Sequence, residues 1–181
     1  MGDPSFPLLR TFRFQVKLLK SLELEAGLDR GDDVLAPVVD DGRLAKDRLA
    51  ADGAFQECTG LEVDVDVQEL LEGGRNDGVI RRVGRAKYQN IVLKRGMFHD
   101  ESRVDAELWD WVQGVVSGTR PITRYDGLVE VMSVDDTVVA RWAFERGIPA
   151  KITGPQLNAK TGEIAIEELH IAHEGLQLVR V

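Results

Sequence analysis

The sequence predicts a mainly β domain, an antiparallel β-barrel or sandwich with one flanking α-helix, on three observations. Apolar and polar residues alternate with period two in residues 11–18, 61–68 and 137–145. Only residues 103–116 carry apolar side chains at helical spacing. Clusters of Gly, Asn and Asp punctuate the rest, as chain reversals require. With 181 residues, 43% of them hydrophobic, the chain reads as one domain over residues 1–181. A chain of that size buries roughly 70% of its unfolded surface, so neither disulfide nor structural metal is needed.

In residues 11–18, Phe12, Phe14, Val16 and Leu18 alternate with Thr11, Arg13, Gln15 and Lys17, the pattern of a half-buried strand. Residues 61–68 repeat it: Leu61, Val63, Val65 and Val67 are expected to meet a core, with Glu62, Asp64, Asp66 and Gln68 on a wet face. The glycines and Asn-Asp-Gly of residues 72–84 predict a turn or an extended hairpin arm. Residues 86–95 then return as a strand, with Ile91 and Leu93 inward.

The helix is expected over 103–116, burying Val104, Leu108, Trp111, Val112 and Val115, with Ser102 as N-cap and Gly118 at its exit. Strands follow at 128–133 and 137–145 around a turn at Val134, Asp135 and Asp136. In the second, Val138, Ala140, Trp142 and Phe144 form the apolar face. Pro149 argues against an unbroken ladder in residues 148–153, which point Ile148 and Ile152 at the same interior. Ile164 and Ile166, then Leu169 and Ile171, alternate out of phase, which predicts a β-bulge at Glu167 and Glu168. Residues 19–53 lack alternation and read as a surface insertion with one short helix near residues 44–50.

The charge is acidic, 31 Asp and Glu against 23 Lys and Arg, a net −8. That argues against general affinity for nucleic acid or anionic membrane. No signal peptide and no apolar run of membrane-spanning length is present, so synthesis in the cytoplasm is expected. Phe6 stands where a myristoylation signal wants Ser or Thr. The single Cys58 cannot form an internal bridge and reads as a small buried side chain.

Several motifs suggest chemistry. Residues 154–161, GPQLNAKT, are one residue from a phosphate-binding loop, but Ala159 replaces the second glycine and its methyl obstructs phosphate. Asp64 and Asp66 could pair for metal or acid–base work, yet Glu62 extends them into the stripe of a solvated strand face. His170 and His173, three apart, fall on opposite faces of a strand and cannot share a metal. Arg75, Arg81, Arg82, Arg85, Lys87, Lys94 and Arg95 make the middle of the chain basic. With few aromatics for base stacking, they read as a surface where cations meet a neighbour's acids. The Arg-Gly-Asp at 30–32 is too short to carry weight.

Taken together, FRFQV (12–16), GAFQECTGLEVDVDVQELLEGGRNDGVIRRVGRAKYQNIVLKRGM (53–97), LWDWVQGVV (108–116) and ARWAFERGIPAKITGPQLNAKTGEIAIEELHIAHEGL (140–176) resemble a known family. It comprises the tail tube proteins of contractile phages and the inner tube proteins of extracellular contractile injection systems. The resemblance implies six-membered rings stacked into a rigid hollow tube, driven into a target by a contracting sheath. The implied partners are other copies of the chain, the sheath, spike and baseplate proteins, tube-terminating proteins, and protein cargo in the lumen; nucleic acid and membrane are not expected. It implies no catalytic residue, cofactor or metal, hence no enzyme.

In such tubes the hairpin of residues 61–70 and 86–95 lines the lumen, which would turn Glu62, Asp64, Asp66 and Gln68 into an acidic bore. The arm tip, Glu72, Gly73, Gly74, Arg75, Asn76, Asp77 and Gly78, would reach the next ring. Residues 19–53 depart from the family pattern, which makes a tube-initiator ring at the spike and baseplate the alternative role. Two other classes remain as comparisons: a nucleotide-binding enzyme using residues 154–161, and a monomeric barrel holding a small ligand.

Overall fold

The computed structural model describes residues 13–21, 55–71, 73–74, 78–99, 104–160 and 162–180. In chain order the elements are β1 (Phe14–Lys20), β2 (Glu57–Thr59), β3 (Val63–Leu70), β4 (Ile80–Tyr88), β5 (Ile91–Gly96), α1 (Glu107–Val116), β6 (Tyr125–Met132), β7 (Val138–Thr153), β8 (Ile166–Ala172) and β9 (Gly175–Val179). Every pairing is antiparallel. Seven strands of the order β1-β6-β7-β8-β5-β2, with β9 also on β7, form the main sheet, and β3 pairs only with β4.

Strand β7 organises the domain. Its first half lies between β6 and β9, while Ile148–Thr153 pairs with β8, so one strand serves two half-sheets. At the corner between them Arg146 takes φ 53°, held by its N–H donating to Asp126 Oδ1 at 2.8 Å and its Nε to Glu174 Oε2 at 2.8 Å. The half-sheets then face each other across one core. Val16 and Leu18 of β1, Val129 of β6 and Phe144 of β7 meet Ile91 and Leu93 of β5 and Leu169 and Ile171 of β8. Strands buried on one face and solvated on the other alternate in this way, which explains the legibility of β1, β5 and β7.

Several expectations are corrected. The bulge lies on β7, where the register slips between Pro149 and Lys151, and β8 keeps unbroken register with β5 from Ile166 to Ile171. Pro149 has no N–H for the ladder, so the slip falls where pairing is already weakest. Residues 86–95 are not one strand: the chain leaves β4 at Tyr88 and starts β5 at Ile91. The valines of residues 63–67 meet no core within the subunit, since all of β3 is exposed. Strand β1 continues to Lys20, shortening the proposed insertion; residues 22–53, including the helix expected near 44–50, lie outside the described residues, as do Phe12 and Ser102.

Helix α1 starts at Glu107, not near residue 103. Asp105 Oδ1 accepts the Glu107 N–H at 3.1 Å, ending the preceding extended chain there. Val104 therefore precedes the helix, bridges to His99 and is half exposed instead of joining the helix core. Leu108 and Trp111 are buried, and Val112 and Val115 are half-buried. Trp111 Nε1 donates to the Thr123 carbonyl at 2.9 Å, and its ring meets Tyr125 edge-on at 4.7 Å. The exit is as expected: Gly118 at φ 77° sends its N–H to Val115 O (3.1 Å) and Thr119 sends its own to Gly114 O (3.1 Å), a Schellman turn.

Candidate assembly surface

The β3–β4 hairpin projects as an arm paired to no other described strand. Its register places Asp64 opposite Lys87, Gln68 opposite Arg82 and Glu69 opposite Arg81, with one extra residue on β4 between Val83 and Ala86. A Cβ on Gly84 would stand 2.8 Å from the Asp66 carbonyl oxygen, so the backbones touch at this bulge. Alternation then divides the arm into two faces. One carries Val63, Val65, Val67, Val83, Ala86 and Tyr88; the other carries Asp64, Asp66, Gln68, Lys87 and Arg82. Glu62, just ahead of β3, is exposed.

Both faces are open. Val67 is 59% and Val83 84% exposed, although these side chains occupy what the sequence marks as a buried stripe. The polar face is not purely acidic, because β4 returns cations to it. Lys87 Nζ donates to Asp66 Oδ1 at 2.8 Å, and that hydrogen bond, reinforced by the Asp66 charge, raises the lysine pKa. Gln89 Nε2 donates to Asp64 Oδ2 at 3.1 Å, while on the valine face, beyond Val67 and Val83, Arg81 pairs with Glu69 at 3.3 Å. Gly73, Gly74 and Gly78 continue the hairpin beyond its paired strands, Gly74 at φ 90°; Glu72, Arg75, Asn76 and Asp77 of the tip lie outside the described residues.

The arm's root is fixed to the barrel. Gly60 takes φ 86°, and a Cβ there would fall 2.0 Å from the Asn90 carbonyl oxygen, so the two chains entering and leaving the arm pass in backbone contact that glycine alone permits. His173, in the β8–β9 turn, spans the root: Nε2 lies 2.9 Å from Gln89 O and Nδ1 2.9 Å from Gly175 O. Burial lowers its pKa, outweighing the two carbonyls that favour the cation. His170, within β8, is separate from it and pairs with Glu168 at 2.6 Å, while His173 lies beyond the end of that strand.

The expected basic surface is mostly neutralised within the subunit. Lys94 pairs with Glu57 at 3.1 Å and Glu168 at 3.7 Å. Arg95 is 1% exposed and lies opposite Glu167, which is 0% exposed, with Nε donating to Oε1 at 2.6 Å. Trp109 Nε1 donates to the other Glu167 oxygen at 2.9 Å, and Asp105 Oδ2 approaches Arg95 Nη1 to 3.0 Å without good hydrogen-bond geometry. This buried pair ties β5 and β8 to the start of α1. The signal for it was strict alternation: Ile91, Leu93, Arg95 and Glu167, Leu169, Ile171 each hold one face. Arg82 and Arg85 make no hydrogen bond or ion pair among the described residues.

Other candidates find no chemistry. Cys58 is half-buried, and desolvation pushes its thiol to about 12, so it stays protonated and inert. Gly154–Lys160 leaves β7 and passes through residues 162–165, which are not helical, into antiparallel β8. No helix N-terminus follows to receive a phosphate. The Lys160 N–H instead donates to Asn158 Oδ1 at 3.0 Å.

Two half-sheets packed on one core and carrying a fixed arm with two uncovered faces define an assembly subunit, because a two-stranded ribbon is at most marginally stable alone. The chain belongs to the T4-like virus tail tube protein gp19 family, whose sequence model matches residues 10–177; it is a structural tail tube protein. No curated protein matches it. Its fold is similar to a chain in the sheath–tube complex of the PVC extracellular contractile injection system in the extended state (19% identity over 98% of this chain and 95% of that one, TM-score 0.69). It is also similar to chains in the anti-feeding prophage tube terminating cap (17%, 100% and 97%, TM-score 0.70) and baseplate (17%, 99% and 97%, TM-score 0.66).

Proposed function

We propose that this protein is the inner tube subunit of a phage-tail-like contractile injection system, in which 6-fold rings stack into a hollow tube enclosed by a sheath. Family membership supports the tube, and the open arm supports assembly through neighbouring copies. Fully burying a valine side chain is worth about 1.5–3 kcal/mol. Val63, Val65, Val67 and Val83 each leave roughly half or more of that unrealised in the monomer. A neighbour covering the valine face recovers it, and the polar face with Glu62, Asp64, Asp66 and Gln68 then turns to the lumen. The tip, residues 72–78, reaches the adjacent ring. Partners on this reading are further copies, the sheath, the baseplate and spike, and a terminating cap, with protein cargo in the bore. The protein acts by rigidity, not by catalysis.

Electron microscopy of the purified protein at high concentration tests this. Rings or tubes are expected, and Val67→Glu should abolish them while leaving the monomer's melting temperature close to that of the parent. Monomers that persist even with sheath and baseplate proteins co-expressed would overturn the reading. Immunogold label confined to the baseplate end of assembled particles would assign the first ring instead of the bulk tube.

A further inference from the structure

The arm joins the barrel through a break in the ladder. Thr59 pairs with Val92 on the barrel side and Val63 with Tyr88 on the arm side, in one continuous register. Between them, residues 60–62 of one chain and 89–90 of the other lie outside the strands. A two-stranded ribbon can bend at such a gap, because the backbone pairing that would stiffen it is missing. The Gly60–Asn90 contact stops the two chains from sliding, but a single point of contact leaves the angle of the ribbon free.

His173 supplies the brace. Its ring lies between Tyr88 at the end of β4 and Phe144 of β7, with centroids 5.4 and 5.5 Å away, so it joins the arm to the core from the β8–β9 turn. Both ring nitrogens face backbone carbonyls, which only accept: Gln89 O on the arm side and Gly175 O on the barrel side, each at 2.9 Å. A neutral imidazole carries one N–H and makes one of these two hydrogen bonds. A second proton would complete the pair, but it puts a full charge into a half-buried site. No carboxylate pairs with His173 among the described residues. Glu174, next in the chain, is held by Arg124 and Arg146, both at 2.8 Å, and Asp64 accepts from the Gln89 side chain. Tyr88, the titratable group on the arm side, is a phenol and gains no charge in acid. Two carbonyl dipoles are thus the cation's compensation, and burial outweighs them.

We propose that His173 is an acid-released latch on the arm. Uncharged, it holds the root against the barrel; charged, it leaves the gap between Tyr88 and Phe144 for water and frees the β3–β4 ribbon to swing at residues 60–62 and 89–90. The cation regains hydration by leaving, so acid favours the swung arm and neutral pH the braced one. A braced arm presents its valine face and its polar face in one orientation, and a released arm does not. The latch is a property of the single subunit and stands apart from the tube reading.

Electron paramagnetic resonance on the dilute protein tests it, with nitroxides at Val83→Cys on the arm and Val139→Cys on the barrel, both exposed positions, in a Cys58→Ser background. The distance distribution should be narrow at about pH 8 and broaden reversibly towards about pH 5, with unchanged far-ultraviolet circular dichroism. The midpoint should follow the His173 ring signals in NMR. His173→Gln, which keeps a donor, and His173→Phe, which keeps a ring, should each abolish the acid-induced change, and His170→Gln should leave it intact. A distribution in the parent that ignores pH would overturn the latch. So would acid broadening that persists in His173→Gln and His173→Phe, that is lost in His170→Gln, or that appears only as the circular dichroism signal is lost. If one His173 variant does not fold, the other decides.

Discussion

Arg95 and Glu167 offer the sharpest test of how this barrel is held together. Arg95→Met leaves Glu167 buried with Trp109 Nε1 as its remaining donor and no cation, in a site with 0% exposure. Removing one partner of a buried pair costs about 3–5 kcal/mol, because the other charge stays desolvated. Glu167→Gln keeps size and the acceptor for Trp109, and Arg95 retains Asp105 at 3.0 Å, a half-solvated carboxylate. It should therefore cost less than Arg95→Met. The double variant Arg95→Met with Glu167→Gln removes both charges and keeps the tryptophan bond, so its loss should fall below the sum of the singles by at least about 2 kcal/mol. For a chain this long 1 kcal/mol is worth about 2–4 °C, which puts Arg95→Met roughly 6–20 °C below the parent. Urea titration and thermal melts of the monomer at low concentration measure all four corners of the cycle. Singles within about 1 kcal/mol of the parent, or a double variant equal to the sum of the singles, would show that the pair is not coupled.

Three further outcomes follow from the same geometry. Gly60→Ala combines a left-handed backbone with a Cβ 2.0 Å from the Asn90 carbonyl, so it should destabilise by at least about 1–3 kcal/mol and raise amide exchange along residues 60–63 and 88–91. Leu108→Ala, in the core under α1, should cost about 2–5 kcal/mol in denaturant titration. His173 has a folded pKa below its ordinary value of 6.5, so the unfolded chain gains its proton first as pH falls. Its contribution is whole above that value and declines below it, levelling off past the folded pKa. His173→Gln should flatten that part of the stability–pH curve.

The barrel was legible because its strands bury one face, and Phe14, Val16, Leu18, Ile91, Leu93 and Phe144 could be placed from alternation alone. The same rule misled in two places. It put Val63, Val65 and Val67 in a subunit core, since alternation marks an apolar stripe without saying what covers it, and within the subunit nothing does. It also passed over Arg95 and Glu167, because charged residues were assumed to face water, although each sits in phase with buried leucine and isoleucine. Val104 was lost to the helix for a different reason: spacing carries no information about Asp105 capturing the Glu107 N–H and starting α1 late. Arm residues 62–68 were read correctly as alternating, but the charge of their polar face depended on β4, whose register across a bulge no single segment encodes.

That register changes what the arm can do. Asp64, Asp66 and Gln68 alone would line a bore with uncompensated acid, and copies around a ring would repel one another across it. With Lys87 hydrogen-bonded to Asp66 and Arg82 opposite Gln68, the two cations offset the two aspartates, leaving Glu62 as the residual charge near the arm's base. The field of such alternating charges cancels within about a Debye length, roughly 8 Å at physiological salt. On the lumen reading proposed above, a tube wall built this way would hold neither acidic nor basic polypeptides strongly. Lys87→Glu with Arg82→Glu would make the same face strongly acidic. On the lumen reading, the arm would keep its strands while the assembled bore began to retain basic polypeptides, a change visible as co-purifying cargo that is released by salt.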